Sequence, residues 1–232
     1  VQALRAIGRT YDRLGDHTRA VRHLREALDL AARIGDHSGE AHAHRYAAKA
    51  FEGLGDTLGA LGHARDALRL FRAIGDPVWQ ADALVLKGRC ETALGRHERA
   101  HESFTQAVGL FRVHDYHPGE ALALTGLGDL ACHRGDHPAA VPYYDAALTL
   151  FRAVGHSFHE ADTLHRLGLA HTALGDHASA EACWGRALAL YRTQRRTASA
   201  DEVGALLTAS AHVPPQGHPA PPHPPDLHIG PG

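Results

Sequence analysis

Leu14-Gly15-Asp16-His17 returns as Leu54-Gly55-Asp56-Thr57, Leu94-Gly95-Arg96-His97, Arg134-Gly135-Asp136-His137 and Leu174-Gly175-Asp176-His177, each time 40 residues further on. A period of this length is one supersecondary unit that cannot bury its apolar face alone, so successive units must stack into an open solenoid. The units run 1–40, 41–80, 81–120, 121–160 and 161–199. Such a stack offers a long surface rather than an enclosed reaction chamber. The first expectation is therefore binding, not catalysis.

The columns of the repeat define its helices. Ala20, Ala60, Ala100, Ala140 and Ala180 form one small-residue column, and Ala27, Ala67, Ala107, Ala147 and Ala187 form another seven positions on. Alanine held at this spacing marks helix faces approached by a neighbouring helix, where a larger side chain would overpack. Between them lies a column of changing size: Leu24, Ala64, Phe104, Tyr144 and Trp184. Leu28, Leu68, Val108, Leu148 and Leu188, followed by the aromatics Phe71, Phe111, Phe151 and Tyr191, complete the apolar face of an amphipathic helix. The helix before it carries Leu4, Ile7, Gly8 and Tyr11, echoed by Leu84 with Gly88, Leu124 with Gly128 and Leu164 with Gly168. Each unit thus reads as a helical hairpin whose turn is the Leu-Gly pair and whose second helix starts at Asp16, Asp56, Asp136 or Asp176, each suited to be an N-cap. A second punctuation, Ile34-Gly35-Asp36 and Ile74-Gly75-Asp76, joins one hairpin to the next. Pro142 falls inside the second helix of unit four, where loss of its backbone donor predicts a kink or a delayed start.

Gly8, Ala20 and Ala27, with Tyr11 and an apolar residue at Leu24, resemble the tetratricopeptide repeat in its longer 40-residue form, over about residues 1–200. Ala48 departs from the glycine of that pattern, and Glu91, Ala131 and His171 depart from the aromatic. The resemblance implies an all-α, right-handed solenoid of five hairpins whose first helices line a concave face that binds extended peptides or helices. The regularity and the Arg/Ala/His-rich bias further resemble the C-terminal arrays of actinobacterial transcription regulators of the SARP or nucleotide-switch type. That implies a bacterial regulatory or assembly arm of a larger protein.

After unit five, Ser199-Ala200-Asp201-Glu202 has the form of a capping box ahead of Val203, Leu206 and Leu207, which predicts a terminal capping helix over 200–212. Residues 213–232 carry eight of the chain's 12 prolines and read as a disordered Pro/His-rich tail. The chain opens at Val1 and has no methionine, so it is expected to be a piece of a longer polypeptide.

Composition narrows the chemistry. A net charge of −2 over 232 residues gives no bulk attraction to nucleic acid or to a membrane surface, and no apolar run reaches the roughly 18 residues of a membrane span. Cys90, Cys132 and Cys183 lie in different units without CxxC spacing, which fits reduced thiols in the cytoplasm. His97-Glu98-Arg99-Ala100-His101 spells HExxH, the helical zinc motif in which two histidines hold the metal and the glutamate activates water. The repeat already accounts for its parts, because His97 shares a column with His17, His137 and His177 while Ala100 lies in a packing column. The expectation is therefore no enzyme, no cofactor and no metal, with a zinc enzyme through His97, Glu98 and His101 as the remote alternative.

The face beside the Leu4, Ile7, Tyr11 stripe carries Arg5 and Arg9, then Arg45 and Lys49, then Arg89, and turns mixed and more apolar in units four and five. These five cations are the candidate binding residues, and an acidic peptide or helix, or another domain of the same longer chain, is the expected partner. A solvated face paired with Asp12 and Glu52 is the plainer reading. The chain contains no asparagine, the residue with which related arrays grip a ligand's backbone. The second functional reading is a sensor of a small ligand or signalling peptide whose binding changes solenoid curvature.

Overall fold

The computed structural model describes residues 1–210, and within them every regular element is an α-helix. In chain order these are α1 (Gln2–Arg13), α2 (His17–Ile34), α3 (His37–Gly53), α4 (Thr57–Ile74), α5 (Pro77–Ala93), α6 (His97–Val113), α7 (His117–His133), α8 (His137–Ala153), α9 (Ser157–Ala173), α10 (His177–Thr193) and α11 (Thr197–Ser210). Odd-numbered helices pack on one another in succession, α1 on α3 through to α7 on α9, and form the inner layer. Each even-numbered helix lies between its own first helix and the next one. The result is an all-α solenoid. The Pro/His-rich tail expected from 213 onward lies outside the described residues, as do the last two residues of the expected capping helix.

The start of each helix follows from its cap. Asp16 accepts from the Arg19 amide at 3.0 Å, Asp56 from Gly59 at 2.8 Å, Asp136 from Ala139 at 3.1 Å and Asp176 from Ser179 at 3.1 Å. Asp36 and Asp76 do the same between hairpins, toward Gly39 at 2.7 Å and Trp79 at 3.2 Å. The turns need a left-handed residue, which is glycine wherever the sequence supplies one; Asp115 and Arg195 take that conformation at φ of 50° and 56° instead.

Two local expectations are corrected. α8 begins in the same register as α6 and α10 despite Pro142. The missing donor would have bonded Pro138, one turn from the N-terminus, while the Asp136 cap and fully buried Ala140 and Tyr144 hold the helix on either side. Second, α11 begins at Thr197, so Ser199 lies inside its first turn and is not its N-cap. The Arg195 turn sets the register, and α11 occupies the place of a first helix, with Ala200 and Val203 buried against α10.

The two alanine columns are wholly buried, all ten side chains at 0% exposure, which explains why nothing larger stands there. The glycine column is a socket. A Cβ added at Gly8 would strike Leu24, and one at Gly88, Gly128 or Gly168 would strike Phe104, Tyr144 or Trp184. Where the socket is Ala48, the opposing side chain is only Ala64, and Leu86 of the next first helix fills the space. In unit three the aromatic of Tyr11 and Phe51 is replaced by Glu91. It is 0% exposed, and its Oε2 accepts from Lys87 Nζ at 3.2 Å and from Ser103 Oγ at 3.0 Å.

These contacts give glycine substitutions opposite signs. Gly128→Ala places a methyl 2.6 Å from the Tyr144 ring and should lower stability by about 1–3 kcal/mol. Gly62→Ala, on the exposed side of α4 with nothing within 4 Å, should raise it by about 0.5–1 kcal/mol. Urea unfolding of both variants checks the pair; equal effects would refute the socket.

Candidate functional site

Helical spacing places positions 2, 5 and 9 of each first helix on the inner face, and in the structure Arg45, Lys49, Asp82, Val85, Arg89, Leu122, Thr125, Asp129 and Asp162 of these columns line a channel that the first-unit positions do not reach. One cavity, of about 270 Å³, is bounded by Lys49 on α3, Asp82, Val85 and Arg89 on α5, Leu122, Thr125 and Asp129 on α7, and His159, Asp162 and Arg166 on α9. A second, of about 180 Å³, adds Arg45, Trp79, Tyr116, Pro118 and His156 and shares Lys49, Asp82, Leu122 and His159 with the first. Helices α3 and α9, three units apart, therefore face one another across the same space.

The five sequence-predicted cations meet different fates. Arg45 is buried, donating from Nε to Asp82 Oδ2 at 2.6 Å, with its guanidinium 4.4 Å from the Trp79 ring centroid and 4.8 Å from that of Tyr46. Its role is to hold the wall together. Arg89, exposed, pairs with Glu52 at 2.9 Å, the partner that the plainer reading named. Exposed Arg9 lies 5.9 Å from the Tyr46 ring. Arg5, half-buried at the first unit, has Nε and Nη1 out of contact with water and without a hydrogen-bond partner among the described residues. Lys49 borders both cavities and makes no hydrogen bond or ion pair within the described residues. Burial pushes its pKa down, Asp82 opposes this, and Arg45 and Arg89 push further down. Asp12, the other expected partner, is taken by His17 at 2.9 Å.

Residues outside that reading complete the channel. Asp129 accepts from Tyr144 Oη at 2.8 Å and faces Arg166 at 3.4 Å; Asp162 accepts from Tyr191 Oη at 2.9 Å and from Arg196 at 2.7 Å. The half expected to be more apolar is thus floored with neutralised charge. His159 stacks on His156 at 4.7 Å and on Phe151 at 5.5 Å, and burial, then the neighbouring His156, hold its pKa down to about 4. Its column partners Gly39, Trp79 and Gly119 give no periodic signal, so the sequence alone did not single it out.

The HExxH segment is not part of this channel. Glu98 is exposed and faces Arg134 at 3.4 Å, and His101 is exposed on α6 in the outer layer. Among the described residues no group of three or more His, Cys, Asp or Glu side chains is placed to hold a metal, and no helix is long and apolar enough to cross a membrane. Cys90 is buried, and burial pushes its thiol up to about 11, well away from a reactive thiolate.

Models of the tetratricopeptide repeat match residues 1–73 and 119–193, and a second such model matches 53–112. Among solved structures, BtubC (BKLC) from P. vanneervenii aligns over 100% of this chain and 87% of its own, with 20% identity and a TM-score of 0.67. The signal transduction ATPase with numerous domains (STAND) from Pyrococcus horikoshii, which has a tetratricopeptide repeat sensor, gives a TM-score of 0.72 at 20% identity, over 90% of this chain and 32% of its own. A Rap protein complexed with Competence and Sporulation Factor gives 0.65 at 17% identity, over 90% of this chain and 62% of its own. At these identities the likeness is one of fold. No curated protein matches the sequence.

Besides His159, burial holds His42, His44, His63 and His165 below the ordinary histidine pKa. The unfolded chain then binds more protons than the folded one once the pH drops below about 6.5. Stability is full above that value and falls as the pH is lowered toward about 4. Urea midpoints from pH 7.5 to 4.5 measure this decline, and His159→Phe should flatten it at the acid end; an unchanged slope would show that His159 does not contribute.

Proposed function

This chain belongs to the tetratricopeptide repeat family, and from that premise we propose that it is a non-catalytic protein-interaction scaffold whose inner channel takes an acidic peptide or helix. It serves as the regulatory or assembly arm of a larger bacterial protein of the transcription-regulator kind. The observation that carries the acidic ligand is Lys49, an ammonium at the centre of the channel with no hydrogen bond or ion pair among the described residues. A carboxylate there would gain a charge-assisted hydrogen bond without breaking an internal pair. Arg5 and Arg9 border neither cavity, while Arg45 and Arg89 are already committed to Asp82 and Glu52. The STAND relative, with its repeat sensor beside an ATPase, supports the regulatory-arm reading.

A second reading is a sensor whose curvature responds to a small ligand or signalling peptide. It draws on α3 and α9 flanking one cavity, so that an occupant bridging them would tighten the superhelix. The Rap protein with its bound factor supports it. A fall in the radius of gyration on ligand addition separates a sensor from a passive scaffold.

Lys49→Gln should weaken binding of a short glutamate-rich peptide by about tenfold or more, with the wild-type affinity falling steeply between low and moderate salt. Fluorescence anisotropy reads both. Equal affinity of wild type and variant would remove Lys49 from the site, and tighter binding of a lysine-rich peptide would overturn the acidic ligand altogether.

A further inference from the structure

The charges that line the 270 Å³ cavity are only partly satisfied by one another. Arg166 pairs with Asp129 and Arg89 with Glu52, while Lys49 makes no hydrogen bond or ion pair among the described residues. Asp82 and Asp162 each give the wall one oxygen: Asp82 Oδ2 accepts from Arg45, and Asp162 Oδ1 accepts from both Tyr191 and Arg196. Among the described residues nothing donates to Asp82 Oδ1 or Asp162 Oδ2, and both side chains are partly exposed. The same cavity therefore holds an unpaired ammonium and two carboxylate oxygens with free lone pairs. Asp82 borders both cavities beside Lys49 and its charge acts on that ammonium, yet the two lie beyond ion-pair distance. A ligand that carried carboxylates alone would satisfy Lys49 but leave Asp82 and Asp162 facing a like charge. Size narrows the occupant further. One turn of α-helix, about 10 Å across and 5.4 Å long, fills roughly 400 Å³, more than this cavity encloses.

We infer that this cavity binds a free α-amino acid with an apolar side chain, its carboxylate on Lys49, its ammonium on Asp82 Oδ1 and its side chain against Val85, Leu122 and Phe151. The inference rests on the small-ligand sensor reading above and names its ligand. An α-amino acid carries both charges on one carbon, so it suits the gap between an ammonium and a carboxylate that do not reach each other. Each contact is a charge-assisted hydrogen bond. Pairing both charges offsets the desolvation that either would leave uncompensated alone. Lys49 lies on α3, Asp82 and Val85 on α5, Leu122 on α7 and Phe151 on α8, so such a ligand ties three successive units together.

The probe is L-leucine, titrated into the full chain by isothermal calorimetry beside isocaproate, which is leucine without its ammonium, and isopentylamine, which is leucine without its carboxylate. Saturable binding of leucine is expected, with each one-charge analogue weaker by about tenfold or more. Glycine, which lacks the apolar side chain, should also bind more weakly. These comparisons leave the protein unaltered, so they test Asp82 without breaking its pair with Arg45. Lys49→Gln should weaken leucine by about tenfold or more, and circular dichroism checks that the variant is folded. Isocaproate binding as tightly as leucine overturns the inference and leaves a bare carboxylate site. Leucine binding unchanged in Lys49→Gln overturns it by placing the amino acid elsewhere. No leucine binding, with the glutamate-rich peptide bound and then lost in Lys49→Gln, overturns it while the acidic channel stands. If neither ligand binds, the channel reading falls with it. Leucine binding without a fall in the radius of gyration supports the ligand and removes the sensor.

Discussion

The close approach of the two helices within a hairpin, made possible by the glycines at 8, 88, 128 and 168, is the constraint from which the rest of this solenoid follows. Each glycine receives one large side chain from the facing helix, Leu24, Phe104, Tyr144 or Trp184. A core this dense leaves no room for even a methyl group without movement of a ring. Phe104 shows how far the dependence reaches, because its ring also abuts Gly126 on the following first helix. Socket and filler must therefore change together. Unit two obeys the same rule in the opposite sense: with alanine on both sides, Leu86 enters from the next unit and closes the space.

That packing fixes the inner layer and so determines which polar groups meet. Once the first helices are drawn together, cations and acids of neighbouring units meet along the inner wall, and most of the charge there is neutralised within it. Arg45 with Asp82, Arg89 with Glu52 and Arg166 with Asp129 join residues from different helices, and Arg196, in the turn before α11, pairs with Asp162 on α9. Exposed pairs of this kind contribute little to stability, typically below about 1 kcal/mol, but they fix orientation. Arg45 is the exception because it is buried between two rings; removing it would leave Asp82 beside an emptied wall. The same pairing isolates Lys49, whose position in unit two meets no acid within ion-pair distance among the described residues.

The fold was legible in the sequence because it is periodic. Ala20 and Ala27 recur without exception, and the Asp caps recur often enough to mark where second helices begin. The inner face was also legible as a set of columns, since a first helix of known phase presents positions 2, 5 and 9 together. What the columns could not show was pairing across units. Arg45 and Lys49 are equivalent as sequence symbols, one turn apart on α3, yet Arg45 is locked to Asp82 on α5 while Lys49 has no ion pair among the described residues. His159 escaped notice for a related reason: its column holds glycine, tryptophan and histidine in different units, so periodicity carries no signal there. Pro142 does not delay α8, because the Asp136 cap and the buried Ala140 and Tyr144 hold its first turns in place.

The departures from periodicity are where function has room to reside. A strictly repeating inner face would offer the same surface at every unit and distinguish no ligand register. Here the unit-three core replaces an aromatic by the Glu91, Lys87 and Ser103 network, buried in the hairpin and directed away from the channel, so it alters the packing without altering the surface. The inner face varies at positions 2, 5 and 9 from unit to unit, and also at Trp79, Tyr116 and His159 in the loops and first turns. A repetitive scaffold thus carries a non-repetitive wall, in which the side chains that break the repeat, such as Trp79 over Arg45 and His159 on Phe151, are tied to the stack while they shape the channel.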